Sequence, residues 1–163
     1  MIQRFVGTAD LEKVYAAACQ ILARANVTNM KLEAFKYYYI PAGANGLAGI
    51  CAKATPELHK LQADLIAAVA PFTVGTGDAA AFFITPDDSV IDSALIGYIS
   101  AFVPKGSGEQ FNPHVTTGVA PRAHLDQMLA EPFEPFTFSP ASAAVYQLGQ
   151  FGTAAKELKE LEI

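Results

Sequence analysis

The chain has few of the residues that define several common classes of protein. Its two cysteines, Cys19 and Cys51, are far apart and in no metal-like spacing, which favours two buried thiols over a disulfide. Eleven Lys and Arg face sixteen Asp and Glu, giving a net charge of −5. A protein that coats nucleic acid needs many cations to neutralise phosphates, so the net charge argues against that class. A small phosphorylated ligand or one end of an RNA remains compatible.

Other hallmarks are also missing. No apolar stretch reaches the ~18 residues of a membrane span, and Met1–Val6 is too short and polar for a signal peptide. As it stands, the sequence predicts a cytoplasmic protein without a membrane partner; a targeting segment upstream of Met1 would make it extracytoplasmic. The sequence contains no G-x-S-x-G motif, no metal-spaced His/Cys cluster and no pair of carboxylates with an obvious role, which disfavours the hydrolase classes built on them. We therefore expect no metal and no cofactor.

What the chain has is an apolar core. With 52% hydrophobic and 17% charged residues over 163 positions, it is long enough to bury a sizeable core and too apolar to be disordered. The sequence therefore predicts a single domain over residues 1–163.

Apolar spacing and turn residues predict the order of elements. We expect a first strand to residue 6 and a helix capped by Thr8 that ends near Asn26. A hairpin and a helix capped by Thr55 follow, and then a helix opened by Asp87 and Asp88. The expected boundaries are Lys31–Ile40 with Leu47–Ala54 for the hairpin, Thr55–Ala70 and Asp87–Phe102 for the helices, and a loop over Pro104–Gly108. Then come a strand at His114, a short helix begun by Pro121, strands at Phe136–Phe138 and Ala143–Gly149, and a helical turn or two in Ala154–Leu161.

The most informative stretch is Phe111-Asn112-Pro113-His114-Val115-Thr116. Alternate residues of a strand point to the same face, so His114 and Thr116 should lie side by side, with Thr117 on the opposite face. An imidazole and a hydroxyl on one face can share a phosphate, because the ring moves a proton while the hydroxyl holds a non-bridging oxygen.

Pro113-His114-Val115-Thr116, placed after a strand, a helix, a hairpin and a second helix, resembles the second H-x-[TS] motif of the two-histidine (2H) phosphoesterases. This superfamily contains the 2'-5' RNA ligase-like proteins and the RNA 2',3'-cyclic phosphodiesterases. The resemblance covers nearly the whole chain. It implies an α+β fold in which two lobes of antiparallel sheet, with helices outside, enclose a groove whose floor carries His114 and Thr116.

The family uses two such motifs that face each other across the groove, and this chain contains one. His59 and His124 lie in predicted helices and have no strand partner at the right spacing. By the family order, the first motif should run directly into Ile2–Val6 and so lie just upstream of Met1. We therefore expect a shortened member, or one whose natural start is further upstream. A second copy that pairs with the unprotected first strand, as a homodimer, is the other route to a complete site.

The resemblance implies metal-independent acid–base hydrolysis of a 2',3'-cyclic phosphate or a 2'-5' linked end, with His114 and Thr116 as the catalytic pair. With one motif, the chain should bind such a phosphate better than it cleaves it. The alternative is a non-catalytic nucleotide-binding or homodimeric interaction module.

Three further residues are candidate ligand contacts: Tyr38, Tyr39 and Arg4. Successive tyrosines of a strand alternate faces, so either Tyr38 alone, or Tyr37 with Tyr39, can line the groove and stack on a base; aromatic packing in the strand core is the structural alternative. Arg4 can attract a phosphate, or can be an ordinary charge at a strand end.

Overall fold

The computed structural model describes residues 1–86 and 89–162 and combines α-helices with antiparallel sheets. This is the mixed α and β composition that the sequence predicts. In the described residues the helices are α1 (Leu11–Ala25), α2 (Pro56–Val69), α3 (Ser93–Ser100), α4 (Phe102–Gly106) and α5 (Arg122–Ala130). The strands are β1 (Phe5–Val6), β2 (Leu32–Ala42), β3 (Asn45–Ala52), β4 (Thr73–Val74), β5 (His114–Pro121), β6 (Phe136–Phe138), β7 (Ala143–Leu148) and β8 (Ala154–Leu161).

The largest sheet has the strand order β5-β3-β2-β6. Its centre is the predicted hairpin of β2 and β3, which turns at Gly43 with φ +62°. Glycine adopts this left-handed conformation without steric cost. Helix α5 packs against β2, β3 and β5, and its Leu125 is only 1% exposed. The helix therefore closes one face of the sheet, while β5 remains an edge strand.

The other strands form two small sheets, β1 with β4 and β7 with β8. Helices α1 and α2 pack together over a core that includes Leu22 and Leu65, and Val145 of β7 and Leu161 of β8 also contact it. Phe5 of β1 forms a second cluster with Phe82 and Ile99 of α3.

Several predicted elements are confirmed. Helix α1 ends at Asn26, which adopts the left-handed conformation with φ 50°. Thr55 caps α2, where its hydroxyl accepts a hydrogen bond from the amide of Leu58 at 3.3 Å. The strand at His114, the helix after Pro121 and the strands at Phe136–Phe138 and Ala143–Leu148 are also present.

The prediction for the third long helix is wrong in its bounds. Asp87 and Asp88 lie outside the described residues. Helix α3 begins at Ser93, because the carboxylate of Asp92 accepts a hydrogen bond from the amide of Ala94 at 2.8 Å. Val90 and Ile91 precede this helix, and Pro104 lies within the short helix α4 instead of a loop.

Three further predictions need correction. Residues 154–161 form strand β8, which pairs with β7, and not a helical turn; the pairing satisfies the backbone and carries Leu161 into the α1–α2 core. Thr8 lies in a 3₁₀ turn and caps nothing with its side chain. Both cysteines are free, but Cys19 is only partly buried, whereas Cys51 is buried.

None of the helices in residues 1–86 and 89–162 combines the length and the apolar character needed to cross a membrane.

Candidate functional site

His114 opens the edge strand β5, and its ring is fixed by the residue two positions earlier. Its Nδ1 lies 2.7 Å from the carbonyl oxygen of Asn112. A carbonyl oxygen can only accept, so Nδ1 carries the proton, and in the neutral ring the lone pair is on Nε2. Nε2 has no hydrogen-bond partner among the described residues. His114 is thus held in the tautomer that can accept a proton from a ligand or from water.

The pairing of strands places Thr116 on the same face as His114. His114 lies opposite Cys51 and Thr116 opposite Gly49, and both partners belong to the regular run of β3. A bulge follows, because Ala48 pairs with Gly118 and leaves Thr117 as the extra residue. The predicted His–Thr pair on one face therefore matches the register of the sheet.

Tyr38 reaches this face from the far side of β3. Its partner in the register is Gly49, and a Cβ added to Gly49 would lie 2.4 Å from Tyr38 Cε1. The absence of a side chain at Gly49 therefore lets the phenol ring lie across β3 towards β5. The rings of Tyr38 and His114 are 5.0 Å apart between centroids.

The hydroxyl of Tyr38 is buried and has no hydrogen-bond partner in the described part of the chain. Burial, with smaller contributions from the nearby Cys51 and Tyr98, raises the pKa of this phenol to about 12. The group therefore stays protonated at neutral pH. A buried donor without a partner costs free energy, and this donor is carried by a ring that lies beside the histidine.

The pKa of His114 is lowered. The main cause is burial of part of the ring; the hydrogen bond to Asn112 opposes it, and the positive α-amino group of Met1 lowers the pKa further. The residue is nevertheless exposed over its surface as a whole, so solvent reaches the ring on its open side. The Met1 amino group therefore acts on His114 through its positive charge.

Gln62 of α2 holds this start in place. It is 1% exposed, and its Nε2 donates to the carbonyl oxygens of Met1 at 3.1 Å and of Gly106 at 2.9 Å. The α-amino group of Met1 is buried, which lowers its pKa, although Met1 as a residue is 54% exposed. The first residues are therefore tied to α2 and to the end of α4.

Tyr39, Tyr37 and Arg4 are not brought to His114. The hydroxyl of Tyr39 donates to Asp126 of α5 at 2.6 Å, and the ring of Tyr37 packs on Phe133 at 4.7 Å. Both tyrosines therefore lie on the α5 face of the sheet. The guanidinium of Arg4 donates to the hydroxyl of Thr73 at 2.7 Å. Of the candidate ligand contacts, only Tyr38 accompanies His114 and Thr116.

Sequence reasoning missed a second open region, at the turn between β7 and β8. Two clefts meet there, of about 340 and 310 Å³, and Gln150 and Phe151 line both. The first also borders Ala42 and Asp92, and the second borders Val119 of β5. The available signal was an aromatic residue between glycines, in Gly149-Gln150-Phe151-Gly152.

Within the described ranges, no three His, Cys, Asp or Glu side chains are grouped so that they could hold a metal ion. Comparisons with protein-family models, with curated proteins and with solved structures find no match. The geometry of the site is thus the basis for assigning a function.

Proposed function

We propose that this chain is a 2H phosphoesterase-like protein whose site acts on a 2',3'-cyclic phosphate or a 2'-5' phosphodiester end of RNA. One observation carries the proposal. The rings of His114, with its open Nε2, and Tyr38, whose buried hydroxyl has no partner among the described residues, lie 5.0 Å apart between centroids, and Thr116 shares their face of the sheet.

These three groups suit attack on phosphorus. In hydrolysis, the oxygen of water bonds to phosphorus while the bond from phosphorus to a ribose oxygen breaks. One group must take the proton of the water and another must protonate the leaving oxygen. Nε2 of His114 performs one of these transfers. The hydroxyls of Thr116 and Tyr38 donate to the non-bridging oxygens, where negative charge accumulates.

On this proposal, the second proton-transfer group would come from a first H-x-[TS] motif, supplied either ahead of Ile2 or by a second copy of the chain. A motif fused ahead of Ile2 would enter beside Met1, whose amino group acts electrostatically on His114. Gln62 would anchor that segment. The four-stranded sheet with α5 would then be one lobe, and the two small sheets with α1 and α2 the other.

The direct test is hydrolysis of a 2',3'-cyclic nucleotide in the presence of a chelator, by the 163-residue chain and by His114→Ala. His124→Ala is the matched control, because His124 is exposed on α5. We expect slow turnover that disappears in His114→Ala and persists in His124→Ala. Turnover that His114→Ala leaves unchanged would refute the assignment.

An extended chain tests the missing half of the site. The sequence Pro-His-Val-Thr, followed by one apolar residue, is fused ahead of Ile2. If the start of the chain faces His114, this extension should raise the rate by about 10²–10⁴-fold, the usual value of one acid–base partner. A fused Pro-Ala-Val-Thr sequence is the control. Equal rates for the two fusions would contradict the placement of the first motif.

A non-catalytic module is the second candidate function, favoured by the single H-x-[TS] motif in these 163 residues. In that case calorimetry with a cyclic nucleotide gives binding heat without turnover, and His114→Ala abolishes the heat. The nucleotide-binding form is excluded if no heat depends on His114. A homodimer that pairs through the first strand would then be left, and sedimentation of the unliganded chain tests it.

A further inference from the structure

The cleft that borders Val119 lies on the same side of the sheet as His114. Val119 pairs with Leu47 and His114 pairs with Cys51, and both partners face the same way along β3. At about 3.3 Å per strand residue, and allowing for the bulge, the two positions are roughly 13–16 Å apart. The cleft, of about 310 Å³, therefore lies further along β5 from His114, on the same face of the sheet.

Phe151 in this cleft is held in a costly conformation. It has φ 60° and ψ 9°, in the left-handed region that residues other than glycine rarely adopt, and it is 43% exposed. The surrounding turn is fixed: the amide of Gly149 donates to the carbonyl of Thr153 at 2.9 Å, and Gln3 donates to the carbonyl of Gly152 at 2.9 Å. A strained backbone in a well-bonded turn that presents an aromatic ring to solvent favours a role for that ring in ligand contact.

A second ring lines the cleft with Phe151, and a cation lies over that second ring. Phe83 lines the same cleft, and Nζ of Lys156 lies 5.8 Å from the centroid of its ring. Lys156 is exposed, and no carboxylate among the described residues forms an ion pair with it. Flat aromatic surfaces beside a cation are the features with which proteins hold a base and its phosphate in single-stranded nucleic acid.

We infer that this cleft binds a second nucleotide, so that the ligand is the end of a single-stranded oligonucleotide of at least two units. This inference rests on the proposed function for the terminal phosphate at His114. The separation along β5 exceeds the reach of one nucleotide from its phosphate to its base, whereas the next unit reaches the cleft. Its base stacks on Phe151 and its phosphate meets Lys156.

The test compares affinities for a mononucleotide and for a dinucleotide and a tetranucleotide of RNA that end in the same terminal phosphate. A stacked base contributes enough for the wild-type chain to bind the dinucleotide about 5- to 150-fold more tightly than the mononucleotide. Phe151→Leu should remove this gain and leave the mononucleotide affinity unchanged. Lys156→Gln should reduce the gain and its dependence on salt. Phe136→Leu is the matched control, because Phe136 is 49% exposed at the other edge of the sheet.

The outcomes separate this inference from the proposed function. If the dinucleotide binds no better than the mononucleotide, or if the gain survives in Phe151→Leu, the second nucleotide site is overturned. If the gain depends on Phe151 but no binding depends on His114, the cleft stands and the phosphoesterase assignment fails. A melting temperature for each variant checks that the fold is intact. Phe151→Gly relieves the strain of the positive φ, so this variant should melt no lower than wild type. It should still lose the tighter binding of the dinucleotide.

Discussion

Tyr38→Phe should stabilise the protein and weaken its binding of phosphate. The phenol oxygen is buried without a partner, and an unsatisfied buried polar group costs about 1–3 kcal/mol. Phenylalanine keeps the ring that packs over Gly49 and beside His114. We therefore expect the free energy of unfolding to rise by about 1 kcal/mol, which for a chain of this size raises the melting temperature by about 2–4 °C. The same change removes a donor that we assign to a phosphate oxygen, so the affinity for a cyclic nucleotide should fall.

Thermal and urea unfolding measure the first effect, and calorimetry measures the second. Tyr39→Phe is the matched control: it is the next residue of β2, and its hydroxyl has a partner in Asp126 at 2.6 Å. In the control, the free energy of unfolding should be unchanged or slightly lower, and the affinity for the nucleotide should be unchanged. A Tyr38→Phe protein that unfolds more easily than wild type would refute the reasoning, since it would mean that the hydroxyl has a partner in solution.

Two other substitutions test the supports of the site. Gly49→Ala should lower the free energy of unfolding in urea titrations by about 1–3 kcal/mol, because the new Cβ would lie 2.4 Å from Tyr38 and 2.8 Å from the carbonyl oxygen of Val115. Gly97→Ala in α3 is the control: its Cβ would have open space around it, so the change should stabilise the protein by up to ~1 kcal/mol. A Gly49→Ala protein that is more stable than Gly97→Ala would contradict the packing of Tyr38 over Gly49. Gln62→Met should lower the free energy of unfolding by about 2 kcal/mol, at about 1 kcal/mol for each of the two hydrogen bonds lost. A Gln62→Met protein at least as stable as wild type would show that these bonds do not hold the start of the chain.

The elements that were predicted well are those whose own residues specify them. Thr55-Pro56-Glu57 contains a cap, a proline in the first turn and an acidic residue at the start of a helix. The hairpin follows from two apolar segments around a glycine-containing turn. Local chemistry decides such cases, so sequence is sufficient for them.

Residues 154–161 were predicted wrongly because their partner decides their structure. Lys156-Glu157-Leu158-Lys159-Glu160 has the charge spacing of a helix, but β7 offers an unpaired edge and the α1–α2 core receives Leu161. Tertiary contacts override weak local preference in such segments.

The candidate site divides in the same way. Strand periodicity alone pairs His114 with Thr116. The choice of Tyr38 over Tyr39 depends on the register of three strands and on which face α5 covers, and a single sequence does not contain that information. Phe151 escaped notice because its exposure and its positive φ arise only once β7 and β8 pair.

The pH dependence of His114 tests both its burial and the position of Met1. Its pKa in the folded chain lies below the ordinary ~6.5, first because of burial and also because of the Met1 amino group. Between the two values the unfolded chain binds more protons than the folded chain, so stability rises with pH across this window. The contribution of the neutral ring is therefore complete above about pH 6.5 and is lost as the pH falls. Urea unfolding at several pH values should give a steeper dependence for wild type than for His114→Gln.

Acetylation of the Met1 amino group separates the two causes. It removes the positive charge, so the pKa of His114, followed by NMR of its ring, should rise while the fold is unchanged. Burial would still hold that pKa below ~6.5. A His114 titration that is indifferent to acetylation would place the start of the chain away from the ring. That result would also remove the support for a first motif entering the site beside Met1, because a segment that leads into Met1 can face His114 only if Met1 itself lies next to it.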